Sequence, residues 1–257
     1  MKWTQVTPTG TGPGARYGHT AVFDTPRNRI LLFGGAASPG GSATDNTGHA
    51  LALGTSPAWS TPTLRGTAAP TARLGHAMVF DGVPRKRWKV PKDSSETRVV
   101  VFGGQSQEGS GFSNELWHLW SDSTGVLEWK QPLVSNPTAA PSARAWLSAS
   151  LSGTRTFLFG GDTLSGPAQG QLFEFNVPEP NNGWDSTSTI GTWRTLAQRS
   201  GGLRGAAMVP LPNRPVFPRY AEIATPGDST TWQTVSGPLL HEWYPAMWTM
   251  PTQSGSS

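Results

Sequence analysis

Phe-Gly-Gly recurs at 33–35, 102–104 and 159–161, each time closing an apolar run opened by an arginine five residues before the first glycine (Arg29, Arg98, Arg155). Ahead of each run stands Pro-x-Ala-Arg, ending at Arg16, Arg73 and Arg144 and leading into another apolar segment. A tryptophan opens a further short strand later in each block, at Trp59, Trp129 and Trp193, with Trp3 and Trp232 in matching phase. Three landmarks returning in one order define a repeat of roughly 50 residues or more, and such a period restricts the chain to a succession of like supersecondary units.

Each unit reads as four strands. The first, 17–23 in unit 1, is small and apolar, and the second, 29–33, is a continuous apolar run that suits burial on both faces. Third strands are expected at 48–53, 114–120, 171–177 and 220–225, and the fourth begins at the tryptophan. A glycine pair after a buried strand lets the chain take positive φ and pass close to a neighbouring sheet. Unit 2 carries an insertion at about 82–97, expected as an exposed loop. Unit 4 opens at Arg204, but its second strand is eroded to NRPVFPR, where Pro212, Pro215 and Pro218 remove ladder donors and Gly-Gly is missing.

Composition narrows the function classes. The net charge of +4 is local: Arg85, Lys86, Arg87, Lys89 and Lys92 supply five of twenty basic residues, and without them 15 face 16 acidic ones, a balance of −1. Basicity therefore belongs to the inserted loop and not to a nucleic-acid-binding face. No cysteine is present, so neither disulfide nor thiol chemistry is available. No apolar run is long enough to span a membrane, and the first residues lack the apolar core of a signal peptide. Low charge with many Thr, Ser, Gly and Trp residues leans towards an extracellular or periplasmic setting.

The pattern resembles the kelch repeat, a four-stranded propeller blade, over nearly the whole chain. The resemblance implies an all-β, kelch-type β-propeller of four-stranded blades forming a single domain, 1–257. About four complete blades are expected, at 16–63, 73–133, 144–196 and 204–235, plus an incomplete blade of strand 242–250 joined by strand 2–6. Propellers typically have four to eight blades, so a truncated six- or seven-bladed ring is expected over a small closed one. The tail, AEIATPGDSTTWQTVSGPLLHEWYPAMWTMP, is similar to galactose oxidase and glyoxal oxidase-like kelch propellers, with Tyr244-Pro245 at the start of an innermost strand. That resemblance implies copper held by two tyrosines and two histidines, one tyrosine being cross-linked to cysteine. With no cysteine and only Tyr17, Tyr220 and Tyr244, the cross-linked cofactor cannot form within this chain. No cofactor or metal is expected.

No catalytic constellation stands out. His19 and His76 occupy equivalent positions three residues after the repeat arginine and are expected to bond neighbouring strands. Asp24 and Asp81 sit at matched turn positions, where aspartate bonds nearby backbone. Arg16, Arg73, Arg144 and Arg204 start innermost strands, so propeller symmetry gathers them around the channel mouth. A ring of guanidinium groups can grip carboxylate or phosphate, and kelch domains that capture acidic peptides use arginines at comparable positions. The other reading is that each arginine packs between blades and bonds a backbone carbonyl. Trp146 replaces the small residue of Gly18 and Gly75 and would either present an aromatic surface at the mouth or fill a gap. The expected ligand-binding set is thus Arg16, Arg73, Arg144, Trp146 and Arg204.

The functional expectation is a non-catalytic binding module for an acidic protein segment or a glycan. The alternative is a fragment or inactive relative of a galactose oxidase-like or sugar-processing kelch enzyme. Self-association through the open edges of the incomplete blade is a further possibility.

Overall fold

The computed structural model describes residues 3–43, 46–81, 97–152, 154–168, 170–177 and 190–199, with four short strands beyond them. Among these residues the regular structure is β apart from two 3-10 turns, Thr25–Arg27 and Pro137–Ala139.

Among the described residues, four antiparallel four-stranded sheets follow one another. The first consists of β1 (Thr20–Asp24), β2 (Arg29–Phe33), β3 (Gly48–Ala52) and β4 (Ala58–Ser60) in sequential order. The second consists of β5 (Ala77–Asp81) and β6 (Thr97–Phe102), a hairpin of β7 (Gln105–Gln107) and β8 (Ser110–Phe112), then β9 (Leu116–Ser121) and β10 (Leu127–Lys130). The short β11 (Leu133–Val134) leads on to the third sheet. That sheet contains β12 (Ser148–Ser152) and β13 (Arg155–Phe159), a hairpin of β14 (Asp162–Thr163) and β15 (Gly166–Pro167), then β16 (Gly170–Asn176) and β17 (Ile190–Arg199). β11 adds to the outer edge of β17 in parallel. The fourth sheet is β18 (Val209–Leu211), β19 (Arg214–Phe217), β20 (Glu222–Ala224) and β21 (Trp232–Thr234).

Register repeats with sequence. The Phe before each glycine pair stands opposite Thr20, Ala77 and Ser148 on the first strand, and opposite Gly48, Leu116 and Leu172 on the third. First strands begin near residue 20 of the unit pattern rather than 17, because the preceding residues bridge elsewhere: Tyr17 to Ala36, Leu74 to Gln105, Ala145 to Asp162. The eroded second strand of unit 4 does pair on both sides, and Pro210 faces Pro215, so both missing donors fall on one rung. The inserted loop at 82–96 lies outside the described residues.

The continuous apolar run of the second strand is explained by β6, which is buried along its whole length. Val99 and Val101 pack with Leu31, Phe33 and Trp129 towards the first sheet, while Val100 and Phe102 pack with Leu158, Phe175 and Trp193 towards the third. A strand with apolar neighbours on both faces has no polar side to show, hence VVVF instead of alternation. Trp129 and Trp193 are core, 3% and 4% exposed. Trp3 is 91% exposed and residues 3–8 form no strand; the strand expected opposite it, 242–250, lies outside the described residues.

The aspartates expected as turn formers do something else. Asp24 and Asp81 end their strands fully buried, opposite Arg29 and Arg98 in register. Asp24 accepts from Arg29 Nε at 2.8 Å and from Arg27 Nη1 at 3.1 Å, and Asp81 accepts from Arg98 Nη2 at 2.6 Å. In the first two units the arginine five residues before Gly-Gly is therefore one half of a buried ion pair across the first hairpin, whereas Arg155 faces Ser152 and pairs with Glu174 on the third strand at 3.4 Å. Arg27 and Arg29 also reach the second sheet, through Thr97 Oγ1 (3.0 Å), Ser121 Oγ (3.0 Å) and the Asp122 carbonyl.

Candidate functional site

The other end of the sheets is held by the repeat arginine. Arg16, Arg73 and Arg144 each send Nη1 to the carbonyl of the first glycine in their own unit, Gly34, Gly103 and Gly160, at 3.0, 2.9 and 3.1 Å. Each turns Nε back to the carbonyl two residues upstream, of Gly14, Thr71 and Ser142, at 3.0–3.1 Å. The arginine's own carbonyl faces the other way. That of Arg73 accepts from Gly35 N–H, and that of Arg144 from Gly104 N–H, both at 2.9 Å. Each guanidinium thus fixes its own glycine pair, and the backbones of Arg73 and Arg144 close the seam to the preceding sheet.

This arrangement explains why the pair is glycine. The six residues sit at φ of +69° to +99°, and a Cβ on Gly34 or Gly103 would lie 2.3 or 2.5 Å from the arginine carbonyl of the next unit. Arg73 and Arg144 are only 1% and 3% exposed, whereas Arg16 is half-buried. Arg73 meets Glu115 at 2.5 Å. Arg144 instead stacks over Phe173, and burial lowers its pKa to about 10, still protonated at neutral pH. Arg204 lies outside the described residues.

Inner strands meet through one further line of bonds: Gly75 N–H donates to the Gly18 carbonyl at 2.8 Å, and Trp146 N–H to the Gly75 carbonyl at 2.6 Å. Gly18 and Gly75 have φ of +66° and +64°, and Trp146, in the same place, has +58°. A tryptophan in the left-handed region carries about 1–2 kcal/mol of strain. Its indole lies across both glycines, where a Cβ would come within 2.9–3.0 Å of the ring, and it is stacked on Tyr17 at 6.4 Å between centroids.

Beside this indole opens a cleft of about 400 Å³ between the β7–β8 and β14–β15 hairpins. Gln105 and Asp162, the residues immediately after successive glycine pairs, line it together with Glu108, Phe112, Trp146 and Leu164. Glu108 accepts from Tyr17 Oη at 2.9 Å and from Gly40 N–H at 2.6 Å. Sequence reasoning singled out Trp146 and gave no role to Gln105, Glu108 or Asp162. The available signal was position: the residue following Gly-Gly is Ala36, Gln105 and Asp162 in turn.

His76 is buried, with Nε2 2.5 Å from Thr20 Oγ1 on the adjoining sheet, and His19 is exposed. Among the described residues no three metal-ligating side chains converge. Burial, then the charges of Arg73 and His19, lowers the pKa of His76 to about 3. Because the folded value lies below the unfolded one, near 6.5, the neutral ring's contribution is complete above pH 6.5 and is lost as pH falls towards 3. Thermal unfolding is expected to be insensitive to pH above 7 and to weaken below 6.5 by up to about 1.4 kcal/mol per unit. The His76→Gln variant should show a shallower slope; an unchanged slope would place the acid sensitivity on other groups.

Successive four-stranded antiparallel sheets, tied inner edge to inner edge by a repeated arginine–diglycine seam, are the blades of a kelch-type β-propeller. The fold is that of a kelch-type propeller, and the chain's similarities to known proteins agree. It is 29% identical over 171 residues to human kelch domain-containing protein 3 (63% of this chain, 38% of that protein). It is 25% identical over 201 residues to the Xenopus laevis Rab9 effector protein with kelch motifs (62% and 53%). To the Drosophila melanogaster host cell factor it is 29% identical over 164 residues, 63% of this chain and 9% of that protein. The chain thus spans from about a tenth to about half of the length of these relatives. The solved structure of YjhT matches with a TM-score of 0.55 at 18% identity, over 84% of this chain and 61% of that one. No family model matches. The stretch carrying the oxidase resemblance, 221–251, lies outside the described residues except for β20 and β21.

Proposed function

We propose that the chain is a non-catalytic protein-binding propeller module whose ligand contacts the face bearing Trp146 and the β7–β8 and β14–β15 hairpins. The observation that carries this reading is the Trp146 indole, held at φ +58° where two sister blades have glycine, and set beside an open cleft. Strain that packing alone does not require is retained where it serves a site. The Rab9 effector among the relatives, by its name, acts on a protein, which favours a polypeptide ligand. Arg16, Arg73 and Arg144 serve on this reading as clamps of the blade seams, and Trp146 is the member of the expected set that meets ligand.

The test is selection of binders from a random peptide library against the folded protein, followed by Trp146→Gly. Since Gly18 and Gly75 already fill the equivalent places, the variant should keep its melting temperature within a few degrees while selected peptides lose at least tenfold in affinity. Peptides that bind the variant as well as the parent, or a library that yields none, would overturn the reading.

A further inference from the structure

The cleft beside Trp146 has a definite chemical character. Its charged lining among the described residues is Glu108 and Asp162, both acidic, with no lysine or arginine. Among the described residues, Arg73 and Arg144 are turned inward, buried in the seams on glycine carbonyls. One wall is the indole of Trp146, whose π face attracts cations, and the rim carries Leu164, 80% exposed on the β14–β15 turn. A fourth feature is independent of charge. Gln105 is 1% exposed and lines the cleft, and its Oε1 accepts from Gly109 N–H at 2.9 Å. That bond fixes the amide's orientation and leaves Nε2 as a buried donor without a partner among the described residues. Such a donor seeks an acceptor.

Resting on the protein-binding reading above, we infer that this cleft receives a basic side chain, lysine or arginine, of a polypeptide partner, with Glu108, Asp162 and the Trp146 face as its counterparts. The partner's backbone supplies the carbonyl that Gln105 lacks, and an adjoining apolar residue covers Leu164. This reverses the charge of ligand that an arginine ring suggests. Arg73 and Arg144 are consumed in holding the blades, so among the described residues the charge beside Trp146 is that of the two hairpins.

The experiment uses capped nonapeptides of fixed apolar flanks whose central residue is arginine, lysine, glutamine or glutamate, with maltohexaose as a neutral polyhydroxyl probe, titrated into the full chain. Arginine- and lysine-centred peptides are expected to bind at least tenfold tighter than the glutamate-centred one at low salt. The preference should shrink severalfold in Glu108→Gln and in Asp162→Asn, each first shown to melt like the parent. Equal or tighter binding of the glutamate or glutamine peptide overturns the inference, as does maltohexaose binding in place of the peptides. So does a preference that neither variant alters. If Trp146-dependent binders are selected but prove acidic or neutral, the binding face stands and the basic specificity falls; loss of all Trp146 dependence removes both.

Discussion

Gly103→Ala is expected to destabilise the protein by about 2–4 kcal/mol, combining the left-handed penalty with forced separation of a packed seam. The new Cβ would lie 2.5 Å from the Arg144 carbonyl, and that carbonyl already holds Gly104 N–H at 2.9 Å. Backbone cannot swing aside as a side-chain tip does, so the seam between the second and third blades must open. For a chain of this size the melting temperature should fall by about 10 °C. Gly109→Ala is the control: its φ of +81° is as unfavourable, but nothing lies within 4 Å of its Cβ position. About 1 kcal/mol is expected there. Equal losses in the two variants, measured by thermal unfolding, would mean that conformation alone and not the seam selects glycine.

Asp24→Ala is the second large effect. The carboxylate is fully buried and holds Arg27 and Arg29, which in turn reach the second blade. Removing it strands two guanidinium groups with little access to water, and breaking a buried pair from one side costs about 3–5 kcal/mol. The exposed pair Arg65–Asp122, at 2.8 Å, offers the contrast, because the Arg65 side chain is 54% exposed. Arg65→Ala should change stability by less than about 1 kcal/mol. A small loss in Asp24→Ala would show that the arginines find other acceptors.

What could be read in advance follows from repetition. Gly-Gly, the repeat arginines and the core tryptophans recur because one seam geometry recurs, and a thrice-stated requirement is visible in a single chain. Asp24 and Asp81 also recur, yet were read as turn formers, since their partners Arg29 and Arg98 are joined to them by strand register and not by adjacency. The cleft was hidden for the opposite reason. Gln105 and Asp162 occupy one structural position with different side chains, and Glu108 sits in a hairpin turn whose counterpart in the third sheet, Leu164-Ser165, has no acidic residue. Repetition reveals what every blade needs, while specificity lies in what only one blade has. Trp146 was legible because it breaks a rule that Gly18 and Gly75 state.

The seam bonds also have a direction. Gly34 and Gly35 receive their own arginine from upstream, but the carbonyl that fills the space beside them belongs to Arg73, synthesised about 40 residues later. A blade emerging from the ribosome is therefore unfinished until its successor follows, and each successor completes the one before it. Nascent chains of this design should gain protease resistance in steps, every step lagging the synthesis of its own blade by one unit. The order of assembly is thus set by the direction of translation.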